Sequence, residues 1–315
     1  MTTQSATLTS EIASPKARQR TLEQQQRMWG WVFLSPWIFG FLVFTALPIV
    51  ASFLFTLTSF KIGQDMTFVG LSNWHKLFTD PLTLESLGVT IRFGLLSLPV
   101  SLGFPLLLAT LLTSKILIGK PFFRLFFYMP YIVPAISSIF VWRAFLNGQT
   151  GWLDRILRLI GIANPPDWLF DTPYLNTGLI MLGLWGVGNA MLTMMAAMQG
   201  VPTELYEAAK VDGASRFKAW LHVTLPLITP VIFYNLVLTV IGLMQYFVPA
   251  FVLSNTLRSN PATNFINLFL YRTAFEYNDL AYAATLAWLI FIVALAMTIA
   301  LFASSRRWVY YTSGE

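Results

Sequence analysis

Cysteine is absent from this 315-residue chain, which excludes disulfides, thiolate metal sites and cysteine nucleophiles together. Histidine is nearly absent as well: His75 and His222 are the only two, and each stands in a polar connection with no second ligand at metal-binding spacing. Charge is scarce, at 11% Asp, Glu, Lys and Arg against about 25% in soluble domains. The nucleotide-binding pattern G-x-x-x-x-G-K-[ST] does not occur. Gly119-Lys120 runs into Pro121 without the upstream glycine, so the chain brings no phosphate loop for ATP hydrolysis. Carboxylates are confined to tails and connections. A membrane-embedded enzyme lacks its nucleophile, metal ligands or carboxylate pair here, and an ion-coupled carrier lacks its buried ionisable groups.

What the chain has in abundance is apolar sequence, 56% of all residues. Six apolar segments, at 29–60, 89–113, 122–146, 177–198, 227–253 and 280–304, each reach the ~20 residues a spanning helix needs. The expected fold is therefore an all-α integral membrane protein with six transmembrane helices over 29–304. Residues 1–28 form a polar tail of disordered, cytoplasmic character, and 305–315 a short C-terminal tail. The first segment is too long for a signal-peptide core and has no small-residue cleavage site, so it reads as a retained anchor. Prolines at 36, 48, 99, 105, 130, 134, 230 and 249 fall in or beside the segments, as bundled membrane helices tolerate. The net charge of +6 would suggest nucleic acid for a soluble chain; here the lipid bilayer is the partner, and the distribution of charge matters more than its sum.

With the N-terminus inside, the cytoplasmic side holds twelve Lys and Arg, in the tail, at Lys115, Lys120 and Arg124, at Lys210, Arg216 and Lys218, and at Arg306 and Arg307. The external side holds eight over longer loops. This bias places both termini in the cytoplasm.

Between the fourth and fifth segments, about 201–226, lies a charged hinge. Pro202-Thr203-Glu204-Leu205 starts a helix, with Thr203 as N-cap and Glu204 and Glu207 near its positive end. Leu205, Ala208, Ala209 and Asp212 cluster by helical spacing, and Gly213 stands where a C-terminal cap needs φ > 0. Residues 214–222, carrying Arg216, Phe217, Lys218, Trp220 and Leu221, read as a second, amphipathic helix at the membrane surface. Written as E-A-A-x-x-x-G-x9-[IV]-x-L-P from Glu207 through Val223-Thr224-Leu225-Pro226, the hinge resembles the cytoplasmic coupling loop of membrane subunits of ATP-binding-cassette importers. That resemblance makes Glu204, Glu207, Ala208, Ala209, Asp212 and Gly213 the residues that meet an ATPase.

Two further features point to function. Trp152-Leu153-Asp154-Arg155-Ile156-Leu157-Arg158-Leu159-Ile160, between segments three and four, reads as a helix on the outer interface; together with residues 62–88 it suits a dock for an external partner and ordinary loop packing equally well. In the fourth segment Gly183, Gly186, Ala190, Thr193 and Ala197 form a small-residue stripe of close helix packing, bordered by Asn189. In the fifth, Asn235, Gly242, Tyr246 and Pro249 share a face with Gln245 at its flank. Asn235 alone suits an interhelical hydrogen bond equally well. Gln245 beside Tyr246 suits sugar hydroxyls and the apolar faces of sugar rings.

Other stretches extend the resemblance over nearly everything after the tail: Leu34-Ser35-Pro36, Leu47-Pro48, Phe68-Val69-Gly70-Leu71-Ser72-Asn73-Trp74, Phe123-Arg124-Leu125-Phe126-Phe127-Tyr128-Met129-Pro130 and Tyr271-Arg272-Thr273-Ala274-Phe275-Glu276-Tyr277. The chain looks like a carbohydrate-type permease, similar to the first membrane subunit of maltose and glycerol-phosphate systems. This implies a type I importer fold in a prokaryotic inner membrane. It implies a second permease in a heterodimer, two cytoplasmic ATPases carrying ATP-Mg, an external solute-binding protein, and sugar contacts from spans four and five, where Asn189, Gln245 and Tyr246 sit. It implies no catalytic residue, metal or cofactor in this chain. Glycerol 3-phosphate or another polyol is the alternative cargo. The family's glycine-rich turn after span five is replaced by Ser254-Asn255-Thr256-Leu257-Arg258-Ser259-Asn260-Pro261.

Overall fold

The computed structural model describes residues 15–114, 116–254 and 261–311, so Lys115 and most of the turn at 254–261 lie outside the described residues. Two compact units divide the chain, Met1–Leu54 and Phe55–Glu315. The described part of the first is one helical run: α1 (Pro15–Phe41), a five-residue π-helical stretch (Leu42–Ala46), and α2 (Leu47–Phe55). The tail expected to lack structure as far as residue 28 is thus helical from Pro15. Proline suits a first helical turn, where its missing N–H is unpaired anyway, and the Lys, Arg, Glu, Gln and Leu that follow are good helix formers. The run ends at Phe55, short of the residue 60 read from hydropathy.

A second π-helical stretch (Trp220–Thr224) shares a cause with the first. Both stand immediately before a Leu-Pro pair, Leu47-Pro48 and Leu225-Pro226. Proline donates no hydrogen bond and its ring clashes with the carbonyl four residues back, and a wider turn relieves both.

In the second unit, the connection after Phe55 is closed by α3 (Ser72–Thr79). Asn73 Nδ2 donates to the carbonyls of Thr56 and Thr58 at 2.9 and 2.8 Å, and Trp74 Nε1 donates to Thr56 Oγ1 at 3.1 Å. The Phe68-to-Trp74 stretch is therefore architectural: it pins its own loop. Asp80 caps α4 (Pro81–Thr113) by accepting from Leu82 N at 3.1 Å, and its other carboxylate oxygen accepts from Thr83 Oγ1 and from the Tyr282 hydroxyl, each at 2.9 Å. That ties α4 to the last helix.

The third apolar segment is two helices, α5 (Lys120–Ile132) and α6 (Ala135–Phe145), bent by 107°. Val133 has φ −68° and ψ 133°, the extended geometry that a following proline imposes. After α7 (Trp152–Leu159), the fourth segment also splits, into α8 (Leu175–Trp185) and α9 (Gly188–Gln199), bent by 56°. Next come α10 (Thr203–Val211), α11 (Arg216–Ala219), α12 (Leu225–Leu227), α13 (Thr229–Met244), α14 (Val248–Ser254), α15 (Ile266–Phe275) and α16 (Leu280–Ser305). Among the described residues the fold is all-helical, with two isolated β-bridges and no strand. Among the described residues four helical stretches are long and apolar enough to cross a membrane, or up to six if each bent pair is one span.

The core forms three clusters around α4. One joins Phe93 to Ile139, Leu169, Leu179 and Phe265. The second seats Met191, Met194, Met195 and Met198 of α9 against Leu108, Ala109 and Leu112. The third joins Met244 and Phe269 to Tyr282, Leu286 and Ile290. Lipid tails are as apolar as leucine, so such contacts stabilise through close packing, where pliable methionine fills irregular gaps, and through interhelical hydrogen bonds. Asn235 supplies one: its Nδ2 donates to Thr193 Oγ1 at 3.2 Å and to the Val231 carbonyl at 2.9 Å. Such a bond is worth about 0.6–2 kcal/mol in a bilayer, and it links α13 to α9.

The small-residue stripe behaves differently from its expected role. Gly183 and Gly186 are exposed and border the bend. The close approach is at Gly188, where a Cβ would lie 2.9 Å from the Phe127 carbonyl oxygen.

Candidate coupling loop and substrate groove

The hinge is a helix, a left-handed turn and a second helix. Its N-terminus corrects one expectation: α10 begins on Thr203, the cap position belongs to Pro202, and no side chain caps it. Proline's fixed φ gives the extended cap geometry without an acceptor. At the other end Gly213 has φ 74°. Ala214 N donates to the Ala209 carbonyl at 2.9 Å and Gly213 N to the Lys210 carbonyl at 3.1 Å, the paired bonds of a Schellman cap. Among the described residues nothing would touch a Cβ on Gly213, so the demand for glycine here is conformational and not steric.

Ser215 then caps α11, accepting from Lys218 N at 3.3 Å. The second piece starts at Arg216 and not Ala214, and it runs through the π-helical stretch to Leu227, just ahead of α13. Trp220 Nε1 donates to Thr110 Oγ1 at 3.2 Å, holding this piece to the end of α4.

Glu204, Glu207, Ala208, Asp212 and Gly213 are exposed, and Ala209 is half-buried. Among the described residues none of the three carboxylates enters a salt bridge. Val211 and Phe217 are 88% and 70% exposed, so the loop offers apolar surface beside unpaired acids. One side chain of α10 turns inward: Tyr206 packs on the methionine cluster and shares a 2.8 Å hydroxyl hydrogen bond with Thr224. The sequence reading passed over Tyr206, although it is the one aromatic in a helix of small and charged residues.

The three residues expected along the substrate path are not brought together. The chain breaks at Gln245–Phe247, between α13 and α14, so the shared face drawn through Asn235, Gly242, Tyr246 and Pro249 does not persist. Gln245 is exposed and lines a groove of about 700 Å³ between α13, α14, α15 and α16, with Ile241, Phe247, Asn267, Leu270, Phe291 and Thr298 among its walls. Tyr246 turns the other way. Its ring packs against Phe93 and Phe265, centroids 4.8 and 4.9 Å away, which also touch each other at 5.2 Å, and its buried hydroxyl has no hydrogen-bond partner among the described residues. Asn189 is exposed, one residue into α9 past the bend, and does not line the groove.

Asn267 was missed. It sits on α15 and its Nδ2 donates to the Gln245 carbonyl at 3.2 Å, giving the groove a second amide. No local pattern announces it, since α15 is read as a connection rather than a membrane element.

A helical chain of this kind, with an exposed acidic loop between its bent fourth segment and α13, matches over residues 26–311 the family described as the binding-protein-dependent transport system inner membrane component. The chain belongs to that family. The permease is 33% identical to the probable ABC transporter permease protein YesP of Bacillus subtilis (strain 168), over 98% of this chain and all of that one. It is 30% identical to the arabinooligosaccharides transport system permease protein AraP of the same organism, with 91% of each covered. Among solved structures it resembles a chain of a bacterial alginate ABC transporter crystallised with an alginate pentasaccharide-bound periplasmic protein. The TM-score is 0.78 at 22% identity, covering 91% of this chain and 98% of that one. The likeness establishes the permease fold.

Proposed function

We propose that this permease forms half of the translocation path of an ATP-driven saccharide importer. The observation that carries the reading is the groove. Among the described residues its walls hold two amides, Gln245 and Asn267, with aromatic Phe247 and Phe291 and no Lys or Arg. Amides exchange hydrogen bonds with sugar hydroxyls and aromatic faces cover the apolar faces of sugar rings. A phosphate ester would need a cation, so glycerol 3-phosphate is disfavoured as cargo, and AraP is named for arabinooligosaccharides. Asn189 belongs to the same path from the α8–α9 bend, and Tyr246 supports it from behind by fixing the break that turns Gln245 outward.

Coupling runs through 201–226. Two cytoplasmic ATPases with bound ATP-Mg close on each other. The surface around Glu207, Ala208, Val211 and Gly213 moves with them, and the attached helices rotate as a body so that the path opens first to one side and then to the other. A second, different permease supplies the other half of the path, and an external solute-binding protein delivers the saccharide. Both termini face the cytoplasm.

Uptake assays on cells lacking this chain test the reading. Loss of ATP-dependent uptake of one saccharide from a panel, restored by the intact chain, is expected. Loss of glycerol 3-phosphate uptake with every saccharide unaffected would overturn it.

A further inference from the structure

The connection between α6 and α8 carries α7, and the surface of α7 divides three ways. Asp154 is buried and Leu153 and Leu157 are half-buried, with Leu153 packed on the cluster around Phe93 and Ile139. On a second side, Trp152, Ile156, Leu159 and Ile160 fall within an arc of about 100° at helical spacing. They are 65%, 49%, 87% and 70% exposed. The remaining arc holds Arg155 and Arg158.

The two arginines are not equivalent. Arg158 Nε donates to Asp154 Oδ2 at 2.8 Å and its Nη1 donates to the Ala163 carbonyl at 3.1 Å; the hydrogen bond and charge of Asp154 hold its proton more firmly than usual. Arg155 lies with its guanidinium carbon 5.5 Å from the centre of the Trp152 ring and has no ion pair among the described residues. One uncompensated cation therefore borders an exposed apolar face.

A helix in water has no reason to gather four large apolar side chains on its open side. α7 starts within seven residues of Phe145, where α6 ends, so it lies at the edge of the membrane-spanning region. We propose that α7 is an interfacial anchor for anionic phospholipid. Trp152, Ile156, Leu159 and Ile160 enter the acyl boundary, and Arg155 reaches along Trp152 to a headgroup phosphate. The three-way division carries this. One apolar side faces the protein, one faces lipid, and the arginine ridge between them points where headgroups lie; tryptophan and arginine are suited to that depth. The inference rests on the membrane-spanning fold and is independent of the saccharide.

The cysteine-free chain allows a direct test. Full-length Leu159→Cys, carrying an environment-sensitive fluorophore, is reconstituted in phosphatidylethanolamine vesicles containing either phosphatidylglycerol or phosphatidylcholine. Strong quenching by a nitroxide high on the acyl chain and weak quenching by aqueous iodide are expected. Nitroxide-labelled phosphatidylglycerol should quench better than labelled phosphatidylcholine, and Arg155→Gln should reduce that preference about fivefold, the effect of one cation at an anionic surface, while Arg155→Lys keeps it. Iodide quenching as strong as at Gln149→Cys in both vesicles would overturn the proposal. So would iodide protection that arises only when an external soluble protein is added, which would make the face a protein dock. Ile156→Cys is read the same way if Leu159→Cys fails to insert.

Discussion

Tyr206 and Thr224 share a hydrogen bond between their hydroxyls, 2.8 Å apart and 18 residues apart in sequence. It joins the exposed helix of the hinge to the π-helical stretch that leads toward α13, and Thr224 is buried. A force applied to α10 therefore reaches the membrane helices through a defined contact. Tyr206→Phe and Thr224→Val should each remove about 1 kcal/mol, roughly a fivefold loss in transport per inserted molecule. The double variant should lose little more than either single one. Additive losses in uptake normalised to membrane-inserted protein would show that the contact does not carry the coupling.

At Gly213 the backbone at φ 74° ranks substitutions by conformation, because the space around it is open. Asparagine tolerates the left-handed region, alanine costs about 1–2 kcal/mol, and β-branched valine costs more. Uptake and ATPase association should fall in the order Asn, Ala, Val, with insertion in the membrane preserved. Glu207→Lys should behave like Gly213→Val through charge alone, since Glu207 has no ion pair among the described residues to lose. Normal uptake by both Gly213→Val and Glu207→Lys would remove the loop as a docking element.

Much of this was legible in the sequence because it depends on local chemistry. A glycine one residue past a helix of small and charged residues predicts positive φ, and Gly213 has it. An asparagine in an apolar run predicts a hydrogen bond across helices, and Asn235 meets Thr193. What depends on tertiary choice was not legible. Pro99 and Pro105 ride inside an unbroken α4 whereas Pro134 ends α5, and the local sequence treats these prolines alike. Periodicity carried through Gln245 and Tyr246 placed them side by side, but the break there sends one to the groove and the other into the core. Polarity alone hides the start of α1, because its Lys, Arg, Glu and Gln are strong helix formers as well as residues typical of disordered tails.

Orientation rests on the distribution of Lys and Arg, and the cysteine-free chain makes it measurable. Single cysteines at Ser114 and Ser215 should resist an impermeant thiol reagent in intact cells, while those at Ser72 and Thr172 should react. The reverse pattern would place the hinge outside, out of reach of any cytoplasmic ATPase.

Asp167 offers a pH test outside the spans. Burial raises its pKa above the ordinary carboxylate value, with backbone hydrogen bonds from Leu169 and Gly148 opposing the shift. A carboxyl whose folded pKa is raised binds its proton more tightly when folded, so its stabilising contribution is present at low pH and lost as pH rises through the raised value. Asp167→Asn should therefore flatten the decline in thermal stability on going from acid to neutral pH. A steeper decline in the variant's melting profile would contradict that sign.

The groove and the aromatic cluster behind it make opposite demands on neighbouring residues. Gln245→Ala and Asn267→Ala each remove a donor and an acceptor facing the groove, so saccharide uptake per inserted molecule should fall several-fold while abundance holds. Tyr246→Phe deletes a buried hydroxyl that has no partner among the described residues, which should leave uptake unchanged and raise thermal stability by about 1 kcal/mol or more, the desolvation cost of an unmade bond. Tyr246→Ala instead opens a cavity beside the Phe93–Phe265 pair, at about 3–5 kcal/mol for a large aromatic side chain, and should lower abundance. The comparison decides the role of Tyr246. Should Tyr246→Phe cut normalised uptake as deeply as Gln245→Ala, the hydroxyl meets the saccharide in another state of the cycle, and the path extends behind the break.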